Sequence, residues 1–131
     1  MNWPMPVQLN HTIVAARDPR ASAMFLTEIL GLPPPVRFFH FEVVTLENGV
    51  SLDYHPVSGD IASQHYAFLI SEAEFDGILA RVRARGLPLY AHPNGGGAGE
   101  INHDWGGRGF YFPDPNGHWL EVLTRPYGST G

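Results

Sequence analysis

The stretch RGFYFPDPNGHWLEVLT, residues 108–124, carries the reading from which the architecture follows. Arg108 to Phe112 and His118 to Thr124 have strand character. Between them Pro113 to Gly117 is turn chemistry, with proline fixing φ and glycine accepting φ > 0. The second half of this hairpin occurs once before: Asn48-Gly49-Val50-Ser51-Leu52-Asp53 matches Asn116-Gly117-His118-Trp119-Leu120-Glu121 at an offset of 68. Working outward, each copy is preceded by the same elements. Gln8 to Ala16 reads as a strand that stops at Asp18-Pro19, a cap followed by a helix-starting proline. Apolar residues at Ala23, Met24, Leu26, Ile29 and Leu30 continue at helical spacing until Gly31. Val36 to Leu46 and Val50 to Tyr54 follow as antiparallel strands around Asn48-Gly49.

Gln64 to Ile70 begins the order again. Ser71 and Glu74 form a capping box for a helix through Arg85, Gly86 ends it, and Leu87 to Ala91 is expected to be a strand. His11 overlays His65 at an offset of 54, Asp18 overlays Ser71 at 53, and Gly31 overlays Gly86 at 55. A near-constant offset argues for duplication. The expected fold is therefore α+β, with two tandem βαβββ modules, about residues 7–56 and 63–126. The jump to 68 places an insertion in the second module, the glycine-rich segment 92–107, whose length suits a mobile lid.

Under this overlay each module offers a histidine on its first strand and an acid on its last. If the modules pack about a pseudo-twofold axis, His11, His65, Glu121 and Asp53 face one cavity. Trp119, Glu121 and Leu123 share a strand face, so Glu121 needs a partner there. Imidazole and carboxylate donors suit one divalent ion: Fe, Mn, Zn or Ni. The chain has no cysteine, so no thiolate competes for that role. The expected ligands are His11, His65 and Glu121, with Asp53 a fourth ligand or a substrate contact. His40, His55, His92 and His118 are assigned to surface or turn positions.

Bulk composition bounds the function. A chain of 131 residues suits one domain, residues 1–131, and 44% apolar against 16% charged residues is an ordinary globular balance. No apolar run approaches the roughly 20 residues of a membrane span. Met1 to Pro6 lacks a secretory pattern, so a cytoplasmic protein without membrane contact is expected. The formal charge is -5, and all eight basic residues are arginine. Nucleic acid is thereby disfavoured as a partner, and Schiff-base chemistry is excluded.

Leu9-Asn10-His11, Gln64-His65-Tyr66-Ala67-Phe68 and Gly109 through Glu121 resemble the vicinal oxygen chelate superfamily, which includes glyoxalase I, type I extradiol dioxygenases, fosfomycin-resistance thiol transferases and bleomycin-sequestering proteins. The resemblance covers nearly the whole chain. It implies a glyoxalase-like fold, in which the two modules form a curved mixed sheet enclosing a metal cavity, together with a small-molecule substrate with vicinal oxygens and a homodimer, in some members with each metal site built from two chains. The extradiol dioxygenases imply catalytic roles for Tyr111 and His103, and a further acid-base histidine before the second ligand. His55 is nearest to that place but is expected beyond the strand end. The fosfomycin-resistance enzymes imply the same ligands and a tyrosine at Tyr111, but carry threonine where this chain has Ile13, and many use a lysine that this chain lacks. Glyoxalase I implies a fourth ligand at Asp53 and cations for glutathione, for which Arg37, Arg108 and Arg125 are the candidates. Ile13 and Arg108 are thus the expected substrate contacts. An extradiol-dioxygenase-like enzyme is the leading expectation; a transferase or lyase, and a metal-free drug- or metabolite-binding protein, are the alternatives.

Overall fold

In the structure, a computed structural model describing residues 7–130, the first module is laid out by its caps. Residues 1–6, where no leader is expected, lie outside the described residues. β1 (His11–Ala16) runs to Asp18, whose carboxylate accepts the Ala21 N–H at 3.1 Å, and Pro19 opens α1 (Pro19–Leu30). Gly31 closes that helix at φ 73, a left-handed cap that glycine adopts without strain. β2 (Val36–Phe38), β3 (Phe41–Thr45) and β4 (Ser51–Pro56) follow as antiparallel neighbours.

The second module repeats the plan with β5 (His65–Leu69) and α2 (Glu72–Ala84), which starts at the Ser71–Glu74 capping box, then β6 (Gly109–Pro113) and β7 (Trp119–Leu123). The strand expected at Leu87 to Ala91 is reduced to one residue. Tyr90 exchanges both backbone hydrogen bonds with Tyr111, each 2.8 Å. The flanking Pro88 and Pro93 cannot donate, and Ala91 and His92 instead donate to Gly97 and Gly96. The glycine-rich segment is thus stitched to itself, and Asn102 ties it to β6 through a two-way bond with Gly109.

Each module builds one mixed sheet, ordered β1-β4-β3-β2 and β5-β7-β6. Within each, the first and last strands are parallel. His11 stands beside Ser51 and Ile13 beside Asp53; His65 stands beside Trp119 and Ala67 beside Glu121. The two ladders therefore hold histidine and acid in the same register, as duplication requires.

Val14, Val44, Leu52 and Tyr54 from the first sheet and Phe68, Phe110, Phe112, Leu120 and Val122 from the second pack with both helices in one buried cluster. Alternation then sends the histidine–acid positions to the helix-free faces. Both helix-covered faces turn toward that shared core, and among the described residues the histidine–acid positions of the two modules do not converge on one ion site. The seam is polar as well as apolar: the Asn116 side chain donates to Ser22 Oγ at 2.9 Å, and His118 Nε2 donates to Ala15 O at 2.8 Å.

His118 is accordingly not at the surface, as the sequence suggested, but 1% exposed. It shares strand parity with Leu120 and Val122, and its turn docks on β1 rather than on solvent. Its Nδ1 accepts the Gln64 N–H at 3.1 Å. Asp114 accepts the backbone N–H groups of Asn116 and His118, each at 2.8 Å, so the Pro113–Gly117 turn is structural.

Candidate metal centre

The parallel pairing of β5 with β7 sets His65 and Glu121 on one face, with His65 Nε2 3.0 Å from Glu121 Oε1. The other ring nitrogen, Nδ1, lies 2.9 Å from Trp119 O. A carbonyl can only accept, so Nδ1 carries a proton and, in the neutral ring, Nε2 presents a lone pair to a carboxylate. Two acceptors face each other, and only a cation between them, a proton or a metal ion, makes the contact favourable. Two donors each about 2.1 Å from one ion and subtending a right angle lie about 3.0 Å apart. The pair fits a divalent ion, with its second-sphere carbonyl already in place.

Glu121 is 2% exposed, a cost that requires partners. Besides His65, the Tyr127 hydroxyl donates to Glu121 Oε1 at 2.7 Å. Tyr127 had no assignment from sequence. Pro126 and Gly128 (φ 80) shape a turn in which Ser129 N–H donates to Pro126 O, and this turn curls the tail back over β7. The Tyr111 hydroxyl is 3.4 Å from that of Tyr127. Burial, then hydrogen bonding to Tyr127 and the charge of Glu121, push the Tyr111 phenol well above the ordinary tyrosine range. Burial and the bond to Glu121 raise Tyr127 as well, so both phenols are neutral donors near neutral pH.

Aromatic rings wall the site. His65 stacks on Tyr111 (5.9 Å), Tyr111 on Trp119 (6.0 Å), and Trp119 lies against Tyr90 (5.5 Å). Trp105, in the 3₁₀ turn Asp104–Gly106, lies 6.2 Å from the Tyr127 ring and holds a left-handed φ of 61. A bulky residue in that region is strained, a feature that concentrates at functional sites.

The other expected residues lie elsewhere. His11 and Asp53 share the helix-free face of the first sheet, where His11 Nδ1 meets Asn10 Oδ1 at 2.7 Å and Asp53 accepts from Ser51 Oγ at 2.8 Å. Ile13, half exposed, sits beside Asp53. Among the described residues no three His, Asp or Glu side chains of one chain converge on an ion site. His103 is exposed on the loop, and its side chain does not cap the 3₁₀ turn that follows it. Arg108 faces α2, paired with Glu72 (2.9 Å) and Asp76 (2.8 Å) and lying 4.2 Å over the Phe75 ring. Arg37 lies by Glu42, and Arg125 donates to Thr130 O.

His55 corrects the expectation in the other direction. β4 extends through it, so it lies in the strand, on the face of Asp53. Its Nδ1 and the Trp119 Nε1 are the shielded side-chain nitrogens without a partner among the described residues. Each stands two positions from the acid of its own module, which marks the helix-free faces as ligand-facing.

A repeated strand–helix–strand module that sets histidine and carboxylate in one ladder register defines a class of small-molecule-binding α+β proteins. The chain belongs to the Glyoxalase/Bleomycin resistance protein/Dioxygenase superfamily, whose family model matches residues 8–122. It is 59% identical to the solved structure "Oxidase ChaP-H2", covering 97% of this chain and 100% of that one with a TM-score of 0.94. It is 55% identical to "Oxidase ChaP-H1", covering 94% and 99% with a TM-score of 0.92. The curated "Glutathione transferase FosA" of Serratia marcescens is 30% identical over 120 residues, 87% of this chain and 78% of that protein. No helix among the described residues is long and apolar enough to cross a membrane.

Proposed function

We propose that this protein is a metal-dependent oxidase of extradiol-dioxygenase type, acting on a flat, uncharged small molecule with vicinal oxygens. The observation that carries the reading is His65 Nε2 facing Glu121 Oε1 at 3.0 Å, with Nδ1 held behind it by Trp119 O. The names of two relatives above 50% identity, both oxidases, support oxygen chemistry over thiol transfer. So does charge: the arginines near the glycine-rich loop are engaged away from Glu121, Arg108 on α2 and Arg125 on the tail, and the chain has no lysine. Among the described residues of one chain, a phosphonate or the glutathione carboxylates therefore find no cation beside the His65–Glu121 pair, whereas a planar ring finds the Tyr111, Trp119 and Trp105 rings.

His65 and Glu121 hold the ion, and His11 is its third protein ligand. Because no third His, Asp or Glu joins His65 and Glu121 among the described residues of one chain, the His11 that completes the site belongs to a second copy, making the active form a homodimer. A bound divalent ion supplies Lewis acidity toward the substrate oxygens and, as iron(II), a site where O2 reacts. The neutral Tyr111 phenol donates a hydrogen bond to a substrate oxygen. His55 of the same second copy, whose shielded ring nitrogen lies on the Asp53 face, takes the substrate proton, and the second copy's Asp53 contacts substrate or serves as a fourth ligand. The aromatic wall excludes water from the approach to Glu121.

Elemental analysis of protein purified without chelator, wild type beside His65→Ala, tests the reading. Stoichiometric iron lost in the variant supports oxygen chemistry. Manganese, zinc or nickel moves the assignment to lyase or transferase chemistry. A wild type that takes up no metal on reconstitution overturns the enzyme reading in favour of a sequestering protein.

A further inference from the structure

We infer that Tyr127, on the C-terminal tail, is a positioning residue that presets Glu121 for the ion and sets the affinity of the site. The inference rests on the metal reading above but concerns a residue outside the repeated modules.

Glu121 projects from β7 with an almost fully buried carboxylate, and a free carboxylate there would rotate to seek solvent or donors. The Tyr127 hydroxyl, 2.7 Å from Oε1, fixes one of its rotamers. The bond falls on the same oxygen that faces His65 Nε2, so it holds that oxygen 3.0 Å from the imidazole before any ion arrives. A carboxylate oxygen has two lone-pair directions, so it can accept from Tyr127 along one and face an ion along the other. Such outer hydrogen bonds orient a ligand and raise its affinity for the metal.

Three features fix Tyr127 itself. The Pro126–Ser129 turn, closed by the bonds from Ser129 N and Oγ to Pro126 O, directs the ring back over β7. The Trp105 ring lies against it from the glycine-rich loop at 6.2 Å. The Tyr111 hydroxyl approaches its oxygen at 3.4 Å. Trp105 keeps its left-handed φ of 61 at this contact, so the loop and the tail meet over the acid ligand. The tail of the chain is thereby part of the ion site, through Glu121 rather than by contact with the ion.

The test is titration of Mn(II) into chelator-treated, dialysed full-length protein, by calorimetry, for wild type, Tyr127→Phe and Tyr127→Ala. Tyr127→Phe keeps the ring and removes the hydroxyl. Loss of such an outer partner weakens metal binding about 10- to 100-fold, and Tyr127→Phe is expected in that range while its unfolding midpoint stays at the wild-type value. Tyr127→Ala, which also removes the Trp105 contact, is expected to bind no tighter. Tight binding by wild type with equal affinity in Tyr127→Phe overturns the positioning role and leaves the metal site standing. No binding of Mn(II) or Zn(II) by wild type overturns the metal reading, and this inference with it.

Discussion

If Glu121 holds an ion as proposed, replacing it by glutamine separates what this side chain does for that ion from what it does for the fold. Its side chain is 3% exposed, and burying a carboxylate costs several kcal/mol even after relaxation. Against that stand the bond from Tyr127, worth about 1.5–3 kcal/mol to a charged acceptor, and the contact with His65. The imidazole is 44% exposed, so solvent screening limits the pair to about 1 kcal/mol or less. The ion-free terms nearly cancel. Glutamine preserves the volume and still accepts from Tyr127, but carries no charge to desolvate. The ion-free variant should therefore unfold within about 1 kcal/mol of wild type, or above it, in urea titrations after chelator treatment. Its metal content by elemental analysis should fall from one ion per site to near zero. A loss of more than about 2 kcal/mol would make Glu121 a structural anchor and refute the bookkeeping, and wild-type occupancy would remove it from the ligand set.

His118→Ala should behave in the opposite way. It strands the Gln64 N–H and Ala15 O across the module seam and leaves a void, costing about 2–4 kcal/mol in chemical denaturation, with metal affinity per folded molecule unchanged. Alkaline pH should weaken the fold through Tyr54 and Tyr66, whose phenols are raised by burial first and by the nearby Asp114 second. Raised folded values mean stability that is complete below the unfolded tyrosine value of about 10 and lost as pH climbs above it. Denaturant midpoints should stay flat from neutral pH to about 10 and then fall, with tyrosinate absorbance at 295 nm rising on unfolding; a decline beginning near neutral pH would contradict this.

Much of this was legible because the signals are local. Asp18-Pro19, Gly31, the Ser71–Glu74 box and the two Asn-Gly turns specify ends of elements by short-range bonding, and the histidine–acid offsets follow from duplication. Ladder register then reproduced the match of His11 to His65 and of Asp53 to Glu121. Longer-range effects were harder to read. His118 was placed outside because its turn has surface chemistry, although its parity with Leu120 and Val122 already pointed inward. His55 was placed past a strand that runs two residue pairs further, His55 beside Ala15 and Pro56 beside Ala16. The strand at Leu87 to Ala91 failed where proline and glycine drew its neighbours into the loop. Tyr127 had only an indirect signal, the Pro126 to Gly128 turn after the last strand. Nothing local says that such a turn lands on an acid six residues back. The convergence of all four ligands within one chain presumed that the modules face each other. The apolar faces instead claim the shared core.

The identical ladder registers flank an unequal pair of connections, and that inequality has an evolutionary consequence. All the length by which the second module exceeds the first is absorbed in a loop whose ends are pinned at Tyr90–Tyr111 and Asn102–Gly109, upstream of β7. Residues can be added to or deleted from it without shifting His65 against Glu121. Selection can therefore vary the length of that loop while the register of His65 against Glu121 is inherited intact.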